Sequence, residues 1–466
     1  MRTDLFFSSI LLSLTAVACG GSTATVGQGQ KPEPSGPGAG AATPNGPPAS
    51  PAPDPGCTGA SCGFDGKGFV VHEWGTNTFV VGSDGKPLRG LHHEEEGLPS
   101  FVFDRVKSGS LEGSTSVDAK METPVTYFYS AKPLTAKVQL SFPQGVLTQW
   151  YPAVSQFYPA VAGGAGRPVT DPMGAPKCEA NFRIANGLLD WGDVQILPRE
   201  QNVEALLPDA PLDKFAWSHA RAVAANPLKV AGAPGAGGGQ YERFLFYRGL
   251  GNFPPPATVS WEFSGAVKVQ NPQASDRVGA VFVLDVQKDK AAFSVSPAGV
   301  APSAAITQTI PTDNKPIDAY ADALSTAIVM ELDKSGLYHD ESMSMVNTWR
   351  RQWFRTPGIR VLYLAPQAWI DQSIPLQIDP KPEKITRVMV IRVEVLTPGN
   401  EEEDMKLAAA FDSPGGAAEA YFASLGRFAE PRLRRAMALL AGPAPQNAVS
   451  YLAKISKANT SAGIGE

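Results

Sequence analysis

Alternating apolar and polar residues predict β-strands in the first half of the chain. The clearest case is "LTAKVQLSF" (134–142), whose apolar positions are Ala136, Val138, Leu140 and Phe142. The stretch "ATVSWEF" (257–263) repeats the pattern, and its apolar face consists of Val259, Trp261 and Phe263. A period of two is typical of strands with one buried face, which antiparallel sheets commonly contain. Many such strands with Gly/Pro-rich joints favour a β-rich, antiparallel, sandwich-like N-terminal part.

Turn residues between apolar runs predict two hairpins. "AVFVLDVQKDKAAFSVS" (280–296) is expected to turn near Lys288-Asp289, and "NTFVVGSDGKPL" (77–88) at Asp84-Gly85. "ETPVTYFYS" (122–130) predicts a further strand. Proline has no N–H for a sheet ladder, so Pro124 indicates an edge strand or the start of a strand.

Helical periodicity begins after about residue 300. "IDAYADALSTAIVMEL" (317–332) and "HDESMSMVNTWRRQWF" (339–354) each predict a helix. Two buried strands follow, at 359–366 and 385–396, and then a helical tail at 401–442 with a break at Pro414. The predicted class is α+β: a β-rich part, then a mixed α/β part and a helical C-terminal tail. The predicted domains are 57–300 and 301–466, with a joint at 301–316, although both parts could form one domain.

The N-terminus is predicted to be a lipoprotein signal peptide, residues 1–18. The apolar run 5–18 spans 14 residues, which is short for a membrane span but fits a signal-peptide core. The following "AVAC" resembles a bacterial lipobox, in which Cys19 would carry lipid. An ordinary secretory signal cut nearby is the alternative.

Residues 19–56 are predicted to be a disordered tether of Gly, Pro, Ala and Ser, which lacks the apolar residues needed to form a core. With a lipid on Cys19, this tether would be a stalk that holds a domain away from the membrane. The predicted location is therefore the cell envelope, as an outer-membrane-anchored lipoprotein that faces the periplasm or the exterior.

Composition narrows the class of protein. Apolar residues make up 43% of the chain and charged residues 18%, and the net charge is −5, which is typical of a globular protein and argues against nucleic-acid binding. Cys57 and Cys62 are close enough in sequence for a disulfide in an exported protein. A zinc site there would need two further ligands. Cys178 has no predicted role.

Several catalytic motifs are missing from the sequence. The zinc-protease pattern H-E-x-x-H fails because Thr76 stands where the second histidine should be. The sequence contains neither a G-x-S-x-G nucleophile elbow nor a phosphate-binding P-loop. Common hydrolase and nucleotide-binding signatures therefore do not apply.

Histidines and carboxylates concentrate between residues 72 and 122. His72, His92 and His93 are candidate metal ligands, and Glu73 and Glu122 are candidate catalytic residues. A divalent metal is the candidate cofactor. In a strand, however, His72 and Glu73 point to opposite faces and could not share one ion. The structural alternative is that Glu73 binds an arginine or backbone amides in the core, with a bulge or a turn at Gly75-Thr76.

An aromatic segment supplies candidate binding residues. "WYPAV" (150–154) and "FYPAV" (157–161) contain Trp150, Tyr151, Phe157 and Tyr158. Such a segment either packs on the core or lines a groove that binds a partner.

Four blocks of the sequence resemble a family of uncharacterised secreted bacterial proteins. They are "HEWGTNTF", "KMETPVTYFY", "FLFYRGLGNF" and "MVNTWRRQWFRTPGIRVLYLAP". The resemblance covers roughly residues 68–396, and Asn77 departs from the Phe usual in the family. It implies one coherent exported domain and no particular reaction.

Two functional hypotheses follow. The first is a lipid-anchored envelope protein that acts as a binding or structural module, with an envelope protein or polymer as its partner. The second is a metal-assisted envelope hydrolase that uses the His/Glu cluster of residues 72–122. The second requires those side chains to converge around one pocket.

Overall fold

The computed structural model describes residues 63–94, 97–104, 117–159, 167–168, 184–212, 214–231, 238–411 and 413–457. All of them belong to one compact unit, Ser50–Glu466. The signal peptide, the tether and the four cysteines lie outside the described residues.

The strands are β1 (Phe69–Val81), β2 (Phe103–Asp104), β3 (Ala119–Ser130), β4 (Leu134–Phe142), β5 (Gly145–Tyr151), β6 (Gln156–Tyr158), β7 (Arg167–Pro168), β8 (Gly187–Ile196), β9 (Leu228–Val230), β10 (Gln240–Glu242), β11 (Leu245–Gly251), β12 (Thr258–Glu262), β13 (Ala266–Gln270), β14 (Val281–Val286), β15 (Lys290–Ser296), β16 (Ala305–Thr309), β17 (Lys315–Pro316), β18 (Gly358–Leu364), β19 (Leu376–Asp379) and β20 (Lys384–Val395). The helices are α1 (Trp217–Arg221), α2 (Ile317–Lys334), α3 (His339–Trp349), α4 (Gln367–Ser373), α5 (Pro398–Ala409), α6 (Ala417–Ser424), α7 (Ala429–Leu439) and α8 (Gln446–Lys457).

The central layer is a ten-stranded mixed sheet in the order β17-β15-β14-β18-β20-β1-β3-β11-β5-β2. Strand β1 pairs in parallel with β20 and antiparallel with β3. The predicted α+β, β-rich class is confirmed. Because strands from both sides of residue 300 alternate in this sheet, the two predicted parts share one core.

Both faces of the central sheet are buried. One face packs against a seven-stranded sheet that contains β4 and β8, which forms the predicted sandwich. The other face packs against helices α2 and α3. Helices α5 to α8 build a smaller core of their own, with Phe411, Phe422 and Leu433 at its centre. Among the described helices, none combines the length and hydrophobicity needed to cross a bilayer.

The pattern of β4 is confirmed, because all four of its predicted apolar side chains are buried. The hairpin formed by β14 and β15 is also confirmed. The predicted face of β12 is wrong at its end, since Phe263 is 102% exposed. The strand stops at Glu262, and a turn closed by the Gly265 N–H and the Glu262 carbonyl directs Phe263 outward. The predicted turn within residues 77–88 forms, but the predicted hairpin does not. A single isolated antiparallel bridge, between Val81 and Pro87, joins the two sides of the turn.

Pro124 does not mark an edge. Strand β3 lies between β1 and β11, and the prediction of an edge strand or strand start is wrong. The pairing of β1 with β3 shifts register at the predicted position, between Trp74 and Thr76, but the extra residue is in β3, where Thr123 and Pro124 lie opposite Gly75 alone. This bulge contains Pro124 and accommodates a residue that cannot donate to the ladder.

Gly75 is required at this bulge. A Cβ added to Gly75 would lie 2.9 Å from Pro124 Cα, so the backbone would have to move. We expect Gly75→Ala to lower the free energy of unfolding by about 1–3 kcal/mol, as over-packed core sites do. Urea denaturation followed by tryptophan fluorescence measures this. Gly442→Ala is the control, because nothing lies within 4 Å of the added Cβ there. Equal stability of the two variants would contradict the packing argument.

Candidate functional site

His72 lies inside β1 and is fully buried. Its Nδ1 is 2.8 Å from Glu341 Oε2, and the Tyr129 hydroxyl donates to Glu341 Oε1 at 2.8 Å. The Tyr338 ring packs on the His72 imidazole with the ring centres 4.4 Å apart. The Tyr338 backbone N–H donates a hydrogen bond to Glu341 Oε2. Glu341 sits in the first turn of α3, so these contacts attach that helix to the sheet.

Glu73 points to the opposite face of β1, as alternation requires. Arg387 Nε donates to Glu73 Oε2 at 2.7 Å, and the Tyr247 hydroxyl donates to Oε1 at 2.7 Å. Thr126 supplies a third hydrogen bond. Arg387 also binds Asp371 and the Ile374 carbonyl. Glu73 is therefore held by a buried arginine, which is the structural alternative that the sequence left open.

One ion cannot bind His72 together with His92 and His93. His72 lies opposite Tyr127 on β3, and six residues further along β1 Thr78 lies opposite Lys120. Six strand residues span about 20 Å. Lys120 Nζ in turn donates to the His93 carbonyl at 2.6 Å. The histidine pair thus lies at the far end of β1 from His72, whereas ligands of one ion sit about 2 Å from it.

Glu122 is held by a second buried arginine. Arg427 Nη1 and the Thr78 hydroxyl both donate to Glu122 Oε1, each at 2.6 Å. Burial by itself would raise the pKa of this carboxyl, but Arg427 and Lys120 outweigh burial and lower it. A carboxylate that stays ionised and paired in this way is a poor proton donor, so the geometry does not support a general-acid role.

Lys120 and Arg248 share a third carboxylate. Lys120 Nζ is 3.0 Å from Glu94 Oε1, and Arg248 Nη1 donates to Glu94 Oε2 at 2.8 Å. Desolvation tends to raise the pKa of Glu94, and the two cations reverse that tendency and lower it. These contacts anchor the turn that carries His92 and His93 to β3 and β11.

His92 and His93 meet Glu430, the second residue of α7. Their Nε2 atoms lie 3.7 Å and 3.0 Å from Glu430 Oε2. Burial, followed by the neighbouring His93, lowers the pKa of His92 to about 4, so its imidazole is neutral at pH 7. All three residues are buried, and among the described residues they form a cluster with spacing suited to a metal.

An open apolar cavity of about 380 Å³ lies beside this end of β1. Its apolar wall includes Phe79, Val81, Phe253, Pro254, Pro255 and Val259. Asp118, Asn252 and Thr258 are the polar side chains of the lining, and the Asn252 side-chain oxygen accepts from the Asp118 N–H. The buried Asp118 Oδ1 has no hydrogen-bond partner among the described residues. Pockets of about 300–1,000 Å³ with apolar walls and a few polar groups are typical small-molecule sites.

The aromatic segment belongs to the core. Trp150, Tyr151 and Phe157 are each at most 3% exposed, and Tyr158 is half-buried. Trp150 packs on Phe103 and Phe157 where the two sheets meet. These side chains therefore do not form the exposed patch that a docking surface needs, because burying them completes the sandwich.

The most informative partners were not predicted from the sequence. Glu430 and Arg427 lie in the helical tail, more than 300 residues from Glu122 and His93. Asp118 and Phe253 are likewise separated in sequence and meet only in the folded sheet. Charged residues in an amphipathic tail are usually solvated, so local pattern contains no signal for these contacts.

Comparison with known proteins identifies no family. No protein-family model matches the chain, and a search of curated proteins found no match. Among solved structures, the yeast delta-COP-I mu-homology domain aligns with a TM-score of 0.25 and 7% identity, over 71% of this chain and 98% of that one. The same domain complexed with the Dsl1 WxWxV peptide gives a TM-score of 0.22 over the same shares, at 7% identity. Similarity this low does not show a common fold, and the functional argument depends on the site alone.

Proposed function

We propose that this protein is a lipid-anchored cell-envelope binding protein, whose pocket beside β1 takes a small, mostly apolar molecule that bears a protonated amine. One observation carries the proposal: the 380 Å³ apolar cavity contains a carboxylate whose buried Oδ1 has no partner within the described part of the chain. A bound ammonium group would supply the missing hydrogen-bond donor, and the apolar walls would bury the rest of the ligand.

The charge of Asp118 suits an amine. Burial raises the pKa of this carboxyl to about 6, while Arg89 and the backbone N–H groups of Asp118 and Phe253 favour its charged form. Asp118 is therefore mostly ionised at pH 7. Because a partly buried anion without a full set of partners is costly, a cationic ligand is favoured over a neutral or acidic one.

Two features favour binding over hydrolysis. The candidate catalytic carboxylates, Glu73 and Glu122, are each engaged by a buried arginine. The five candidate residues also do not converge around one pocket, which an enzyme of the proposed kind would require. Lipidation of Cys19, the stalk of residues 19–56 and an outer-membrane location remain part of the proposal, supported by the N-terminal sequence pattern.

Asp118→Asn tests the proposal. Benzylamine and hexylamine, with benzyl alcohol and hexanoate as matched probes, would be titrated into the full chain and followed by saturation-transfer NMR and calorimetry. We expect the amines to bind the wild type best. The variant should bind them about 10- to 100-fold more weakly, because a hydrogen bond to a charged group contributes about 1.5–3 kcal/mol. Binding to the wild type should also weaken below about pH 6, where Asp118 takes up a proton.

Asp276→Asn is the matched control. Asp276 is a half-buried aspartate whose Oδ2 accepts a hydrogen bond from the Ser275 hydroxyl, and it is not part of the cavity lining. Its loss should leave amine binding unchanged. Equal binding of the amines and the alcohol, or equal binding by wild type and Asp118→Asn, would refute the proposed role of Asp118.

A further inference from the structure

We propose that His92, His93 and Glu430 form a site for one divalent transition metal of the zinc class. Two imidazole nitrogens approach the same carboxylate oxygen, Glu430 Oε2, at 3.7 Å and 3.0 Å. Candidate ligand atoms of the three residues all lie within 4.8 Å of one another. Zinc ligands lie about 2.0–2.2 Å from the ion, so donors roughly 3–4 Å apart can share it with small adjustments.

The donor set identifies the class of metal. Imidazole favours borderline transition metals, and a carboxylate completes a shell that Zn²⁺ and its neighbours accept. Magnesium and calcium prefer shells made of oxygen, so two imidazoles disfavour them. Three protein ligands leave at least one coordination position for water, which is the composition of catalytic rather than closed structural zinc sites.

Neighbouring residues already orient these ligands. Arg434 Nε donates to Glu430 Oε1 at 2.8 Å and leaves Oε2 facing the two imidazoles. Lys120 Nζ donates to the His93 carbonyl at 2.6 Å and fixes the turn from the other side. Second-shell contacts of this kind hold metal ligands in position and contribute about 10- to 100-fold in affinity.

The site would connect distant parts of the chain. His93 and Glu430 are 337 positions apart, and Glu430 belongs to α7 in the helical tail. A shared ion would therefore clamp the tail to the turn that follows β1. Metal binding should stabilise the folded protein by linkage, because the unfolded chain does not hold the three donors together.

The test uses the full chain, purified without a histidine tag, treated with chelator and titrated with Zn²⁺ alone by calorimetry. We expect uptake of about one equivalent and a Zn²⁺-dependent rise in Tm. His92→Gln and Glu430→Gln should each lower the Zn²⁺ affinity by at least about 100-fold, since they remove a ligand rather than a second-shell partner. His92→Gln leaves the 3.0 Å contact between His93 and Glu430 in place, so it tests the metal without breaking that pair.

His339→Gln is the control, because this exposed histidine, the first residue of α3, contacts Asp333 of α2 and lies in another part of the fold. It should keep wild-type Zn²⁺ affinity, as should Asp118→Asn, so failure here is distinguishable from failure of the ligand pocket. No Zn²⁺ uptake by the wild type, or equal affinity in wild type and His92→Gln, would overturn the site. The contact between His93 and Glu430 would then be a purely structural hydrogen bond.

Discussion

Replacing Arg427 with methionine is expected to lower the free energy of unfolding by about 3–5 kcal/mol, the usual result of removing one partner of a buried ion pair. Arg427 is 3% exposed, and its Nη1 lies 2.6 Å from Glu122 Oε1. The guanidinium carbon of Arg427 lies 4.9 Å from the centre of the Phe428 ring, so methionine removes this cation–π contact together with the ion pair while it keeps an apolar side chain at the site. Urea denaturation at pH 7 measures it.

The loss should depend on pH in a definite direction. The pKa of Glu122 is lowered to about 2 in the folded protein, as the nearby cations outweigh burial. The stabilisation from this carboxylate is therefore fully present above its ordinary pKa near 4.5 and is lost as the pH falls toward about 2. Without Arg427, the effect of burial on the pKa of Glu122 is less opposed, so the Glu122 carboxyl of the folded protein takes up a proton at higher pH. The stability gap between wild type and Arg427→Met should narrow between pH 6 and pH 3.

An exposed pair provides the control for this prediction. Lys406 and Glu402 form a contact on α5, with side chains 72% and 67% exposed. Solvent screening makes such pairs weak, so Lys406→Met should change stability far less than Arg427→Met. Equal losses in the two variants, or a stability gap that does not change with pH, would contradict a structural role for the contact between Glu122 and Arg427.

The second large effect is expected where β1 meets β20. Arg387→Met should destabilise the protein by about 3–5 kcal/mol, because Glu73 would remain buried without a cation. Both side chains are 1% exposed, and their closest atoms, Arg387 Nη2 and Glu73 Oε2, are 2.6 Å apart. Glu73→Leu should produce a similar loss, because it leaves the guanidinium of Arg387 without its main partner.

A double-mutant cycle distinguishes a paired charge from two independent contacts. The double variant, Glu73→Leu with Arg387→Met, should be less destabilised than the sum of the single variants, because it removes both charges together. Urea midpoints of the four proteins give the coupling energy. If the losses in unfolding free energy of the two single variants added up to that of the double variant, Glu73 and Arg387 would not act as a pair. The "HEWGT" stretch would then have another role.

The contacts of His72 and Glu73 explain the structural role of the "HEWGT" stretch in β1. His72 binds Glu341 of α3 on one face of β1, and Glu73 binds Arg387 of β20 on the other. Helix, central strand and neighbouring strand are thereby linked through two adjacent residues. A histidine and a glutamate side by side in a buried strand are explained here by the opposite directions of their side chains, without a shared ligand.

The sequence by itself determined the local elements and the class of the fold. Periods of two and of 3.6 residues report which faces become buried, and this information is local. They correctly predicted β4, the β14–β15 hairpin and helix α2. The position of the irregularity beside Glu73 was also predictable from Gly75, a small flexible residue, although the strand that carries the extra residue is β3.

Only the tertiary structure decided which residues meet. Pro124 lies in a central strand, since a bulge in β3 itself removes the need for its missing N–H. Trp150 and Phe157 are core residues because the second sheet covers them, and no local pattern separates such a segment from a binding surface. Glu430 reaches His93 across 337 positions only after α7 docks beside the turn. The residue types show what chemistry is available. Which side chains come together depends on long-range packing, and the periodicity along the chain contains no information about that packing.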